Sequence, residues 1–118
     1  MKYTVSKIFS FEACHALPHL PSSHKCHRLH GHSYRVEIAC SRCTLDRNGF
    51  VIDYADISDV VNPLIAQCDH QNLNTLFPFK TTAEEIGLWF YRTLEKKVPT
   101  LAWVKVYETA KTCVKVEP

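Results

Sequence analysis

The 118-residue sequence predicts a single α+β domain, residues 1–118, in which a four-stranded antiparallel sheet carries two helices on one face. Three observations predict it. Residues 2 to 13 and 33 to 40 alternate apolar and polar side chains with the period of two that marks a half-buried strand. Two later stretches set apolar residues at helical spacing behind capping residues. Two short alternating runs then return the chain to the sheet. The order is strand, strand, helix, helix, strand, strand (ββααββ).

In the first strand Tyr3, Val5, Phe9, Phe11 and Ala13 face one side and Lys2, Thr4, Ser6, Ser10 and Glu12 the other, with Lys7 and Ile8 as misfits. Residues 16 to 29 hold Pro18, Pro21, Ser22 and Ser23 and read as a loop. The second strand sets Tyr34, Val36, Ile38 and Cys40 against Ser33, Arg35 and Glu37. Asn48-Gly49 signals a turn, followed by the short apolar run Phe50-Val51-Ile52. Asp53 can cap a helix, and Asp56 suits its positive end. Ile57, Val60, Val61, Leu64, Ile65 and Cys68 follow one face of that helix, although Pro63 removes a backbone donor and should kink or split it. Residues 69 to 80 read as loop. Thr82-Ala83-Glu84-Glu85 has the form of a capping box and opens a helix with the stripe Ile86, Trp89, Phe90, Thr93 and Leu94, ended by Pro99. Ala102, Val104, Val106 and Glu108 share one face of a third strand, and residues 112 to 116 supply the fourth.

Composition narrows the class of protein. No run approaches the roughly 20 apolar residues of a membrane span. The opening Met1-Lys2-Tyr3-Thr4-Val5 alternates instead of building a signal peptide. The cytoplasm is therefore the expected compartment, where the six cysteines are expected to stay reduced. A formal net charge of +2, with no basic run interleaved with aromatics, gives no ground for a nucleic-acid partner.

Chemistry concentrates in one stretch. Six of the seven histidines lie between residues 15 and 32, and Cys26-His27-Arg28-Leu29-His30-Gly31-His32 packs three of them beside a thiol. At a spacing of two, His30 and His32 share a strand face, on the parity of Tyr34 and Val36. His15 continues the apolar parity of the first strand, so antiparallel pairing brings it beside them. Three imidazoles with one open position form the arrangement of a catalytic zinc site; a fourth ligand closes a structural one. Cys26 is either that fourth ligand or a free thiol beside a cation, where the thiolate is favoured and can act as base or nucleophile. Asp69-His70 offers a carboxylate to fix an imidazole tautomer. Adjacent side chains seldom bond each other, so the pair is expected either to span a third group such as Cys26 or to join Asn72 and Asn74 in satisfying backbone groups. Glu108 points inward and needs a donor pair, either a guanidine-like ligand edge or a lysine such as Lys105 or Lys111. Cys40-Ser41-Arg42-Cys43 resembles half of a four-cysteine zinc site, but the other half is missing.

Assembled, these residues resemble the 6-pyruvoyltetrahydropterin synthase / 6-carboxytetrahydropterin synthase family along nearly the whole chain. Phe11-Glu12-Ala13-Cys14-His15 and His30-Gly31-His32 look like its two metal segments. Cys68-Asp69-His70-Gln71-Asn72-Leu73-Asn74 is similar to its Leu-Asp-His-x-x-Leu-Asn stretch, Thr82-Ala83-Glu84 to its Pro-Thr-x-Glu helix start, and Val106-Tyr107-Glu108-Thr109 to its final Glu-Thr. The three residues between Cys26 and His30 resemble the carboxy branch, which feeds 7-deazapurine (queuosine) synthesis; the tetrahydrobiopterin branch has a longer insertion there. Thr81 and Cys68 depart from the usual proline and leucine, which bears on helix-start rigidity and packing. The resemblance implies the tunnelling fold, with sheets of several subunits closing a barrel (a hexamer of two trimers) and active sites at subunit interfaces. It implies zinc on His15, His30 and His32, catalytic roles for Cys26, Asp69 and His70, and a pterin-anchoring role for Glu108. The implied reaction is that of a lyase, converting 7,8-dihydroneopterin triphosphate to 6-carboxy-5,6,7,8-tetrahydropterin. Lys25, Arg28, Lys80 and Lys111 are candidates to hold the triphosphate.

Overall fold

A computed structural model describes all 118 residues. The alternating segments become a long hairpin, β1 (Tyr3–His15) and β2 (His30–Arg42), paired antiparallel from Tyr3↔Arg42 to His15↔His30. β4 (Leu101–Tyr107) adds antiparallel to β2, with a register shift at Ala39/Cys40, and β5 (Val114–Val116) adds antiparallel to β4. The expected four-stranded antiparallel sheet needs correction. A fifth strand, β3 (Gln71–Asn72), pairs parallel with β1 at Ala13 and Cys14, so the sheet is mixed and runs β3-β1-β2-β4-β5.

Three helices accompany the sheet. α1 (Tyr54–Cys68) is capped by the Asp53 carboxylate, which accepts the Ala55 N–H at 2.8 Å. Pro63 does not split it: α1 runs unbroken through that position. Pro63 and Asp59, whose carbonyl loses its donor, are both exposed, where solvent lowers the cost of the missing bond. The stretch read as loop, residues 69 to 80, contains β3 and a one-turn helix, α2 (Leu73–Leu76), started by the Asn72 side chain. Its apolar content was too short to show a period. α3 (Ala83–Glu95) starts at Thr82, whose hydroxyl accepts the Glu85 N–H at 3.2 Å.

One face of the sheet packs on α1 and α3. Phe9 and Phe11 of β1, Tyr34, Val36 and Ile38 of β2, and Val104 and Val106 of β4 are buried against Ile57, Val61 and Leu64 of α1 and Ile86, Phe90 and Leu94 of α3. Each such side chain contributes about 1.5–3 kcal/mol by leaving water. Phe11 and Tyr34 stack across the hairpin with centroids 4.9 Å apart. The misfit Lys7 points to the helix side and donates to the Ser58 hydroxyl of α1 at 2.5 Å, while Ile8 lies exposed on the opposite, helix-free face. Two features of this arrangement place the histidines. The hairpin register sets His15 opposite His30, and the core parity turns both inward at the end of the sheet.

Candidate metal centre and active site

His15, His30 and His32 converge: one nitrogen from each lies within 4.8 Å of the others. Their ring centroids are 4.6, 4.9 and 5.2 Å apart. Backbone carbonyls orient two of the rings. His15 Nδ1 donates to the Thr81 carbonyl at 2.8 Å, and His30 Nδ1 donates to the Arg28 carbonyl at 2.7 Å. Each Nε2 is thereby left as a lone pair, and both are buried with no hydrogen-bond partner. Ligating histidines are held in this way, one nitrogen fixed by the protein and the other free for the metal. Electrostatics agree. Burial, reinforced by the neighbouring imidazoles against the Thr81 hydrogen bond, lowers the His15 pKa to about 4. His32 is lowered by the same two causes. Neutral imidazoles suit a divalent metal, so the residues fit one.

Cys26 stands apart from this ligand group. It sits in a 3₁₀ turn, Lys25–His27, on the loop joining the two strands. Its N–H donates to His24 Nδ1 at 3.1 Å, and its carbonyl accepts the Leu17 N–H at 2.8 Å. The turn is thus tied to the chain two residues beyond His15. The thiol is half-buried and, like the other five, free.

Glu108, just past β4, reaches the histidines instead of a lysine. One carboxylate oxygen lies 3.3 Å from His15 Nε2 and 3.7 Å from His32 Nε2. Burial raises its pKa, partly opposed by His30, and Glu84 raises it further. Glu108 also lines a cleft of about 240 Å³ with Ala83, Glu84, Thr112 and Cys113.

Asp69 and His70 bond each other directly, contrary to the sequence expectation: His70 Nδ1 lies 3.0 Å from Asp69 Oδ1. The reason is backbone geometry. His70 adopts φ +59°, and its N–H donates to the Glu12 carbonyl at 2.6 Å, which folds its ring back onto its neighbour. Asp69 also accepts the Glu12 N–H at 2.9 Å, and this bond, followed by His70, holds its pKa down. The backbone-satisfying alternative therefore also holds. No hydrogen bond or ion pair joins His70 to Cys26 or to the three histidines within one chain. Its ring is 78% exposed and opens on a cleft of about 490 Å³ shared with Glu12, Gly31, His32 and Gln71.

A family model described as 6-pyruvoyl tetrahydropterin synthase matches residues 4–118. The chain belongs to that family. It is a pterin-processing lyase. It is 40% identical over 114 residues to the 6-carboxy-5,6,7,8-tetrahydropterin synthase of Synechocystis, covering 91% of this chain and 87% of that protein. It is 30% identical to the dihydroneopterin monophosphate aldolase of Pyrococcus furiosus, covering 84% and 81%. The 6-pyruvoyl tetrahydropterin synthase structure of Caenorhabditis elegans shares the fold with a TM-score of 0.88 at 23% identity, over 100% of this chain and 96% of that one.

Thr81 escaped the sequence reading of this pterin-synthase-family site, in which Asn74 is expected only to satisfy backbone groups near the helix end. Thr81, read as a matter of helix-start rigidity, is fully buried and places its hydroxyl 3.2 Å from His15 Nδ1 as well as its carbonyl. Asn74 brackets Ala16 with two 2.8 Å bonds, to its N–H and its carbonyl, and so fixes the chain as it leaves His15. The contacts span 58 and 66 residues of sequence, and no local period encodes them.

Proposed function

We propose that this chain is a zinc-dependent lyase converting 7,8-dihydroneopterin triphosphate and water to 6-carboxy-5,6,7,8-tetrahydropterin, acetaldehyde and triphosphate, a cytoplasmic step toward 7-deazapurines. The observation that carries the reading is the three-histidine cluster, with the His15 and His30 Nε2 atoms free and the Cys26 thiol outside the ligand group. Identity to the Synechocystis relative over most of the chain supports the carboxy product, as does the short Cys26-to-His30 spacing.

A zinc ion on His15, His30 and His32 would supply Lewis acidity at the substrate's side-chain hydroxyls, acidifying the neighbouring C–H. Glu108 would accept two parallel N–H groups of the pterin 2-amino edge through its two oxygens, which fixes which side-chain carbon meets the base. Cys26, as thiolate, would take a proton from that carbon and return one to the ring. His70, with Nδ1 committed to Asp69, would present Nε2 as the complementary acid and base. Its exposure and its separation from its own Cys26 support a site completed between neighbouring copies, in a homo-oligomeric barrel of the family type. Lys25, Arg28, Lys80 and Lys111 remain the proposed triphosphate contacts.

The test is to incubate zinc-loaded protein with dihydroneopterin triphosphate and identify the products by mass. Acetaldehyde with the carboxy product is the expected outcome. A product retaining all three side-chain carbons would make the chain a 6-pyruvoyl synthase, and pterin binding without triphosphate release would make it a binding protein.

A further inference from the structure

His15 commits its one ring N–H to the Thr81 carbonyl, so its Nε2 is a bare lone pair. Glu108 nevertheless aims a carboxylate oxygen at that lone pair from 3.3 Å, and at His32 Nε2 from 3.7 Å. Electron-rich atoms facing each other in a pocket of low dielectric repel unless a proton or a metal cation stands between them. No lysine or arginine supplies one: the two histidines are the only ion-pair partners Glu108 has. The 3.3 Å between Glu108 and His15 is the spacing of two donors around one ion, and the 3.7 Å to His32 is slightly wider. Metal bonds of about 2.0–2.1 Å at tetrahedral angles set neighbouring donors about 3.3–3.4 Å apart. Glu108 also lines the cleft beside Glu84 and Thr112, so its carboxylate borders open space into which the side chain can turn.

We propose that Glu108 has two positions. In the substrate-free enzyme it caps the metal as a fourth ligand, and the N–H edge of an arriving pterin ring draws it into the cleft, opening the corner of the metal that the side-chain hydroxyls then take. The identity of the ring rests on the functional reading above; the capped resting state does not. A four-coordinate resting metal is held as firmly as in a structural site and is exposed to substrate only after the ring is seated, so ring binding precedes hydroxyl chelation.

Cobalt(II), substituted for zinc in the full chain, reports coordination through its visible spectrum. The comparison is between wild type, Glu108→Gln and Glu108→Ala, with circular dichroism to verify folding and chelator competition to measure zinc affinity. Both variants should bind zinc about tenfold or more weakly. Pterin lacking a hydroxylated side chain should shift the wild-type cobalt spectrum toward that of Glu108→Ala and leave the Glu108→Ala spectrum unmoved. Equal zinc affinities and superimposable cobalt spectra in all three proteins would overturn the cap. A wild-type spectrum unmoved by saturating, bound pterin would overturn the second position, and this measurement decides alone if a variant does not fold. Weaker zinc in the variants without turnover of the triphosphate by wild type would refute the functional reading and leave the cap standing. Turnover with equal affinities would do the reverse.

Discussion

Cys26 owes its place to its backbone and not to its sulfur. Its N–H and carbonyl are both engaged, by His24 and Leu17, and the three ring nitrogens meet without it. Cys26→Ala should therefore leave the turn and the metal stoichiometry intact while lowering kcat by about 10²–10⁴. Metal analysis beside steady-state kinetics checks this, and loss of metal along with the thiol would make Cys26 a ligand. His15 makes a different kind of prediction. Its pKa is about 4 in the folded chain against an ordinary 6.5. The unfolded chain takes up the proton first as pH falls, so this contribution to stability is complete above about pH 6.5 and is lost toward pH 4. In metal-free protein the loss should be about 2 kcal/mol by pH 5 and approach about 3 kcal/mol below pH 4, seen as a urea midpoint that already falls between pH 7 and pH 5. A midpoint constant over that range would show that His15 is not buried neutral.

The elements were read from period where period had room to act. The 13-residue strands β1 and β2 carry enough alternation to fix which face is buried, and with it the inward turn of His15, His30 and His32. Residues 71 to 76 have no such length, and β3 and α2 stay below any periodic signal. Pro63 does not end α1, because the bond it removes falls at an exposed position, with Pro63 and Asp59 both on the outer side of the helix. Asp69–His70 misled because the positive φ that folds the two together is set by Glu12, far away in sequence. Gly87 of α3 lies close against β5: an added Cβ would stand 2.9 Å from Val116 Cγ2. Gly87→Ala gains up to about 1 kcal/mol of helix propensity. It also forces a stiff β-branched side chain aside, at a cost of about 1–3 kcal/mol. The clash should prevail, with a net loss of about 1 kcal/mol and a lower Tm in thermal unfolding; an unchanged or higher Tm would show that β5 yields freely.

At the scale of the whole molecule the sheet is unfinished. β3 pairs with β1 only at Ala13 and Cys14, leaving most of the outer edge of β1 without a strand partner. The helix-free face carries Ile8 uncovered. Unpaired edges of this length are normally covered or paired, which agrees with the proposed assembly of copies. If each site takes Cys26 from one copy and His70 from another, mixing Cys26→Ala with His70→Ala should regenerate activity. Random equal exchange would restore roughly a quarter of the wild-type sites. Activity staying at the level of the separate variants after subunit exchange would place both residues of a site in one chain.

Trp103 gives that assembly an optical handle. It lies on the helix-free face with Lys105 and Lys115 over its ring, at 4.9 and 5.3 Å, whereas Trp89 packs on Phe77 and Phe90 on the helix side. In the proposed assembly the two indoles would therefore watch different events, Trp89 the melting of the interior and Trp103 the covering of the outer sheet. Replacing Trp89 with phenylalanine would leave a single emitter whose colour follows the joining of subunits.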